Sequence, residues 1–168
     1  MTCLAMFERP ALPLFHPVTL IATWFGAGLI RGAPGTWGSL AALPCAASLH
    51  LLGGPWLLAG ATGLVALAGV WASGRYAAAL GGGGASGDPG AVVVDEVAGQ
   101  WLALLPLPLD LWWYAAAFAL FRLFDIAKPW PIGWLDRNLA GGWGIMADDL
   151  AAGLVAGALA TALLLWLA

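Results

Sequence analysis

The sequence predicts an all-α protein, a compact helical bundle that crosses a membrane several times, with some helices short or half-inserted. Three observations carry this expectation. Of the 168 residues, 62% are hydrophobic and 9% charged, at a mean hydropathy of +0.89, where soluble domains carry about 25% charged residues. That apolar content exceeds what a soluble core of this length needs, so lipid is the expected solvent for much of the surface. The apolar runs at 55–80 and 150–168 are each long enough to span a hydrocarbon core of about 30 Å. Lastly, the charges (six basic, nine acidic) are clustered, seven of them between Arg122 and Asp149. The length fits one membrane-embedded domain over 1–168.

The elements follow in order. Residues 1–17 carry Glu8, Arg9, Pro10, Pro13 and Pro17 rather than the basic start and apolar core of a cleaved leader, so they read as an irregular lead-in. Val18–Ile30 is apolar but too short to span alone, and is expected as a buried or half-inserted helix. Arg31–Ser39 then reads as a glycine-rich loop. Gly32, Gly35 and Gly38 free its backbone N–H groups to approach an anion, Thr36 and Ser39 offer hydroxyls, and Ser39 is placed to cap the next helix. A plain capped loop and an anion site at a helix N-terminus both fit. The lysine and spacing of a nucleotide-binding P-loop are missing.

Leu40–Leu52 and Pro55–Leu80 read as two helices joined by Gly53-Gly54, with Gly60, Gly63 and Gly69 allowing close helix packing. Gly81–Gly90 is a flexible loop. Ala91–Leu105 restarts as a short helix with Asp95 and Glu96 near its start, where the dipole favours acids whatever their role. Pro106 and Pro108 end it, Asp110 caps Leu111–Ala127, and Pro129 stops that helix. Arg122, Asp125 and Lys128 then recur at steps of three on one face. An acid in a last turn opposes the dipole, so Asp125 points to function. Trp130–Ala147 reads as a polar-aromatic loop, and Asp148-Asp149 as the opening of the last helix. Neighbours there diverge by about 100°, so one aspartate faces the site while the other caps or supports it.

A net charge of −3 and the lack of any basic run argue against nucleic-acid binding. Cys3 and Cys45 have no metal-binding spacing and read as small hydrophobes. If the loop around Arg31 is cytoplasmic, alternating helices bring Arg31, Arg75, Asp95, Glu96, Arg122, Asp125, Lys128, Asp136, Arg137, Asp148 and Asp149 to that face. Little beyond His50 and Asp110 remains opposite, and the basic residues obey the positive-inside tendency. Carboxylates are costly near apolar surroundings, so their clustering marks a site. Oxygen ligands without histidine or cysteine favour Mg²⁺ over zinc. Arg122, Lys128 and Arg137 complement phosphate charge. The chemistry suggested is metal-assisted phosphoryl transfer to water at a membrane surface.

Three separated motifs then carry a family resemblance: Pro34-Gly-Thr-Trp-Gly-Ser39; Val94-Asp-Glu-Val-Ala-Gly99 with Trp101; and the run from Phe121-Arg-Leu-Phe-Asp125 through Lys128-Pro-Trp-Pro131, Asp136-Arg137, Gly141-Gly142, Met146 and Asp148-Asp149 to Ala152-Gly153. Over roughly residues 24–157 the chain resembles the phosphatidylglycerophosphatase A family. The resemblance implies a mostly helical, Mg²⁺-dependent phosphatase of the bacterial inner membrane that removes the terminal phosphate of phosphatidylglycerophosphate to leave phosphatidylglycerol. The residues and the resemblance together name Asp95, Asp125 and Asp149 as catalytic acids. The metal ligands are Asp95, Glu96, Asp125, Asp148 and Asp149, and the phosphate contacts are Thr36, Ser39, Arg122, Lys128 and Arg137.

Other phosphatase chemistries fit poorly. Cys45 is followed six residues on by Leu51 and not by the arginine of a cysteine phosphatase, His16 and His50 lie apart from the acids, and no D-x-D pattern occurs. Attack by water under Mg²⁺ control is the leading mechanism, with a transient aspartyl-phosphate on Asp125 or Asp95 as the other. From different classes, a cation-binding transporter-like protein and a structural membrane subunit are the competing readings. Charges gathered at one face rather than the midplane argue against transport.

Overall fold

The computed structural model describes residues 8–81 and 89–167. Among these residues six α-helices follow one another: α1 (Pro17–Ala22), α2 (Pro34–Ala79), α3 (Val94–Leu104), α4 (Leu111–Ala127), α5 (Ile132–Asn138) and α6 (Gly141–Leu167). The all-α expectation holds, and α2 and α6 are long and apolar enough to cross a membrane.

α1 is much shorter than the helix expected over Val18–Ile30. His16 caps it by accepting the Val18 N–H at 3.2 Å. It ends at Thr23, whose hydroxyl donates to the Thr19 carbonyl at 2.7 Å and accepts the Gly26 N–H at 3.1 Å, and where Trp24, Phe25 and Gly26 turn left-handed (φ 45°, 56° and 95°). A single 3₁₀ turn, Ala27–Leu29, follows. The predicted loop Arg31–Ser39 shrinks to 31–33, because Pro34 starts α2 with its φ already helical. Ser39 therefore does not cap: it lies inside the helix and donates to the Gly35 carbonyl at 2.8 Å. The break at Gly53-Gly54 is where the sequence places it. Gly54 has φ 66° and ψ −165°, a conformation close to glycine-only, and Pro55 restarts the helix. α2 is thus two arms, 34–52 and 55–79.

α4 matches its predicted span. The Asp110 carboxylate accepts from Trp112 N–H (2.9 Å) and Trp113 N–H (3.3 Å), and Lys128 closes the helix in the left-handed region with φ 42°. The loop expected over Trp130–Ala147 is instead α5 and the first turns of α6, so Asp148 and Asp149 lie about two turns inside a helix and neither opens it. Tertiary packing overrides the poor helix propensity of Gly142 and Gly144: a Cβ on Gly142 would strike the Val70 carbonyl, and one on Gly144 would lie 2.5 Å from that of Leu139. The expected Gly81–Gly90 loop falls mainly on 82–88, and Cys3 on 1–7, both outside the described residues.

α3 is the central element, packed on both arms of α2 and on α4 and α6. Val97, Trp101, Leu104 and Phe121 are buried in its core, and the Trp101 indole N–H donates to the Ala42 carbonyl at 2.8 Å. α3 and α6 cross at glycine. A Cβ on Gly99 would sit 2.5 Å from the Asp149 carbonyl, and one on Gly153 would strike that of Gly99. This close approach carries the acids of α3 and α6 to one place. Gly35 abuts Glu96 and Arg122, and Gly74 abuts Gly142. The N-terminal ends of α2, α3 and α6 and the C-terminal end of α4 therefore meet at one end of the bundle.

Candidate metal and phosphate site

The acids at that end are held by three helices. Asp95 and Glu96 come from the first turn of α3, and Asp149 from α6. Carboxylate oxygens of all three lie within 4.8 Å of one another, with Asp95 only 3% and Asp149 4% exposed. Asp95 Oδ1 accepts the Glu96 N–H at 3.0 Å, which fixes its direction. Asp125 of α4 faces Asp149. Arg122 bridges: its Nη1 is 2.5 Å from Asp125 Oδ2 and 3.7 Å from Glu96 Oε1. A second knot lies beside it, with Lys128 Nζ 2.5 Å from Asp136 Oδ1 and 2.7 Å from Asp148 Oδ2. Burial lowers the Lys128 pKa, but the two carboxylates more than offset this and hold it above its usual range, so the amine stays charged.

Four carboxylates in a space this small repel one another, and they invite a cation. One oxygen, Glu96 Oε2, is buried with no hydrogen-bond partner among the described residues. An all-oxygen set with a waiting acceptor fits a hard divalent ion. Burial pushes Glu96 up to about 8, with Asp149 and Asp125 adding to the rise and the hydrogen bond with Asp95 and the charge of Arg122 opposing it. The folded, cation-free protein thus holds a proton that the unfolded chain has lost, so its stability declines as pH rises from the ordinary carboxylate range through about 8. A cation must displace that proton. Its apparent affinity is therefore expected to strengthen by up to ~10-fold per pH unit between pH 6 and 7.5 and to level off above about 8. Isothermal titration with Mg²⁺ in two buffers of different ionisation heat measures both the affinity and the released proton.

Of the residues singled out in the sequence, Asp95, Glu96, Arg122, Asp125 and Asp149 come together directly. The two neighbouring aspartates do diverge: Asp149 joins the acid cluster and Asp148 turns to Lys128. Thr36 is half-buried in the first turn of α2, next to Gly35. Ser39 is fully buried, its hydroxyl engaged by Gly35. Arg137 is exposed in the last turn of α5 and enters none of the ion pairs among the described residues. The sequence reading gave Asp136 no role of its own, although it lies in the charged stretch eight residues past Lys128. It also passed over Gln100, a lone amide in an apolar helix, one turn beyond Glu96.

The model of the family described as Phosphatidylglycerophosphatase A matches residues 20–164. The chain is 41% identical over 149 residues to Phosphatidylglycerophosphatase A of Escherichia coli, covering 88% of this chain and 83% of that protein. It is 40% identical over 157 residues to that of Haemophilus influenzae, covering 93% and 94%. A Bacteroides thetaiotaomicron protein named Putative phosphatidylinositol-3-phosphatase is 43% identical over 149 residues, covering 84% and 89%. No solved structure matches the chain.

Proposed function

The chain belongs to the phosphatidylglycerophosphatase A family, and we propose that its acid cluster is the Mg²⁺ site at which phosphatidylglycerophosphate loses its terminal phosphate. The activity is that of a phosphatidylglycerophosphatase, a phosphoric monoester hydrolase. The observation that carries the site is the meeting of Asp95, Glu96 and Asp149, with Asp125 beside them, at one end of the bundle.

Asp95, Glu96, Asp125 and Asp149 would hold the ion, and Asp148 would support them through Lys128. When bound, Mg²⁺ supplies charge that offsets the phosphate and polarises its oxygens. Arg122 and Lys128 stand beside the acids, and their N–H groups complement the phosphate oxygens. Thr36, at the first turn of α2, and Arg137, on α5, border the same end. One of Asp95, Asp125 and Asp149 takes the proton of the attacking water. The water oxygen bonds to phosphorus as the bond to the glycerol oxygen breaks, the same carboxyl returns its proton to the departing glycerol oxygen, and phosphatidylglycerol and inorganic phosphate leave.

A single membrane-embedded domain over 1–168 fits this reading, with 1–17 as the lead-in and the bacterial inner membrane as its place. Exposed tryptophans support a bilayer setting. Trp130, Trp134 and Trp143 lie at the acid end, and Trp56, Trp112 and Trp166 at the other. Trp143 and Trp166 are about 34 Å apart along α6, close to the ~30 Å hydrocarbon core that aromatic belts border. Between them Leu154, Leu159 and Leu163 face outward. With the acid end cytoplasmic, Arg31, Arg75, Arg122, Lys128 and Arg137 obey the positive-inside tendency.

The test is phosphate release by the purified protein from phosphatidylglycerophosphate, phosphatidylinositol 3-phosphate and phosphatidic acid in mixed micelles. Phosphatidylglycerophosphate should be cleaved fastest, and chelation with EDTA should stop the reaction until Mg²⁺ is restored. Faster release from phosphatidylinositol 3-phosphate would transfer the assignment to the inositol lipid, and full turnover after chelation would remove the metal.

A further inference from the structure

Gln100 is fully buried, and neither its Oε1 nor its Nε2 has a hydrogen-bond partner among the described residues. An amide left unpaired in an apolar interior is costly, with two groups each losing the hydrogen bonds that water would give. Native structures seldom keep such a group without a reason. Its placement supplies one. Gln100 lies four residues after Glu96 on α3, hence on the same face and one turn deeper. Two further buried atoms lack a partner among the described residues, Glu96 Oε2 and Arg122 Nε. Arg122 Nη1 and Glu96 Oε1 are 3.7 Å apart, so this pair keeps unused buried atoms one helical turn from the unpartnered amide.

We propose that Gln100 is a positioning residue for the cation site: its amide reaches the second oxygen of Glu96 through one ordered water, and so fixes that carboxylate for a divalent cation. The inference rests on the cation-site reading above. A neutral amide suits the task. It can donate to a carboxylate without adding charge to a crowded acid cluster, and its own acceptor remains for a water held in the site. Partners of this outer kind typically set metal affinity by 10–100-fold.

The proposal gives opposite signs for stability and affinity. Gln100→Met keeps the length and removes the unpaired polar atoms, so the cation-free protein should melt at the same temperature or higher. Its Mg²⁺ dissociation constant, read by calorimetry and by Mg²⁺ titration of the melting temperature, should weaken at least ~10-fold. Tyr114→Phe is the control. That hydroxyl is also buried and unpartnered, but it sits near the start of α4, about 16 Å along the helix from Asp125. It should leave Mg²⁺ affinity untouched. Gln100→Met with unchanged Mg²⁺ affinity would overturn the proposal, and so would a Gln100→Met protein that no longer folds, because the cation-free fold is expected to gain. A wild-type protein that shows no Mg²⁺-dependent shift at all would instead overturn the cation site itself.

Discussion

Asp125→Asn should lower phosphate release by about 10³-fold, the loss that follows when one preorganised electrostatic contact is taken from a buried site. The change keeps size and leaves an oxygen for Arg122, which lies 2.5 Å from Asp125 Oδ2. It removes only the charge. The fold should survive, because α4 is capped at its other end by Asp110 and packed through Ala117 and Phe121. Asp110→Asn is the matched control, about 22 Å away along the helix axis. Asparagine caps as well as aspartate, so that variant should keep full activity. Steady-state phosphate release from both variants, with far-ultraviolet circular dichroism to confirm folding, checks the contrast. Equal activity in the two would separate Asp125 from the chemistry.

Gly35→Ala is the second large effect, and its cause is steric. A Cβ there would run into Glu96 Oε1 and come within 3.1 Å of Arg122 Nη1. Both atoms end flexible side chains, so the backbone need not move, and alanine suits a helix better than glycine by roughly 0.5–1 kcal/mol. Melting temperature in the absence of a cation should therefore hold or rise. Glu96, however, is pushed from its place, and a displacement near 1 Å costs ~10²-fold in rate. Gly99→Ala makes the comparison, since its Cβ would meet the Asp149 carbonyl at 2.5 Å, which is backbone. That variant should lose stability as well as activity. A Gly35→Ala enzyme with normal turnover would show that Glu96 has room to spare.

How far the sequence could be read depended on where the cause of structure was local. α4 was legible end to end, because Asp110 caps it and Pro129 follows its left-handed last residue. The break at Gly53-Gly54-Pro55 was legible for the same kind of reason. What escaped was decided by packing. Gly142 and Gly144 signal a loop by propensity, yet the backbone of Val70 and Leu139 accepts them only as glycines in a helix. The helix expected over Val18–Ile30 stops where Trp24, Phe25 and Gly26 turn left-handed, a conformation that apolar periodicity does not register. Charge clustering in a greasy chain was enough to single out Asp95, Glu96, Arg122, Asp125 and Asp149, which the fold brings together. The 100° step between helical neighbours separated Asp148 from Asp149 even though the helix start was misplaced. Ser39 was read as a free hydroxyl because its acceptor, the Gly35 carbonyl, exists only once α2 begins at Pro34. Gln100 gave no sign in charge or motif, since its signal is the lack of partners in a folded interior.

Carboxylates from three helices meeting at one end make a specific demand: a cation bound only by the folded chain must stabilise it by mass action. The most direct measurement is the melting temperature of the purified protein in detergent, titrated with Mg²⁺ after exhaustive chelation, for the wild type and Asp125→Asn side by side. The expected result is a saturable rise in the wild type, over the same Mg²⁺ range that restores phosphate release, and little or no rise in Asp125→Asn. An identical rise in both proteins, or catalysis returning with no rise in the wild type, would contradict a Mg²⁺ site built from these acids.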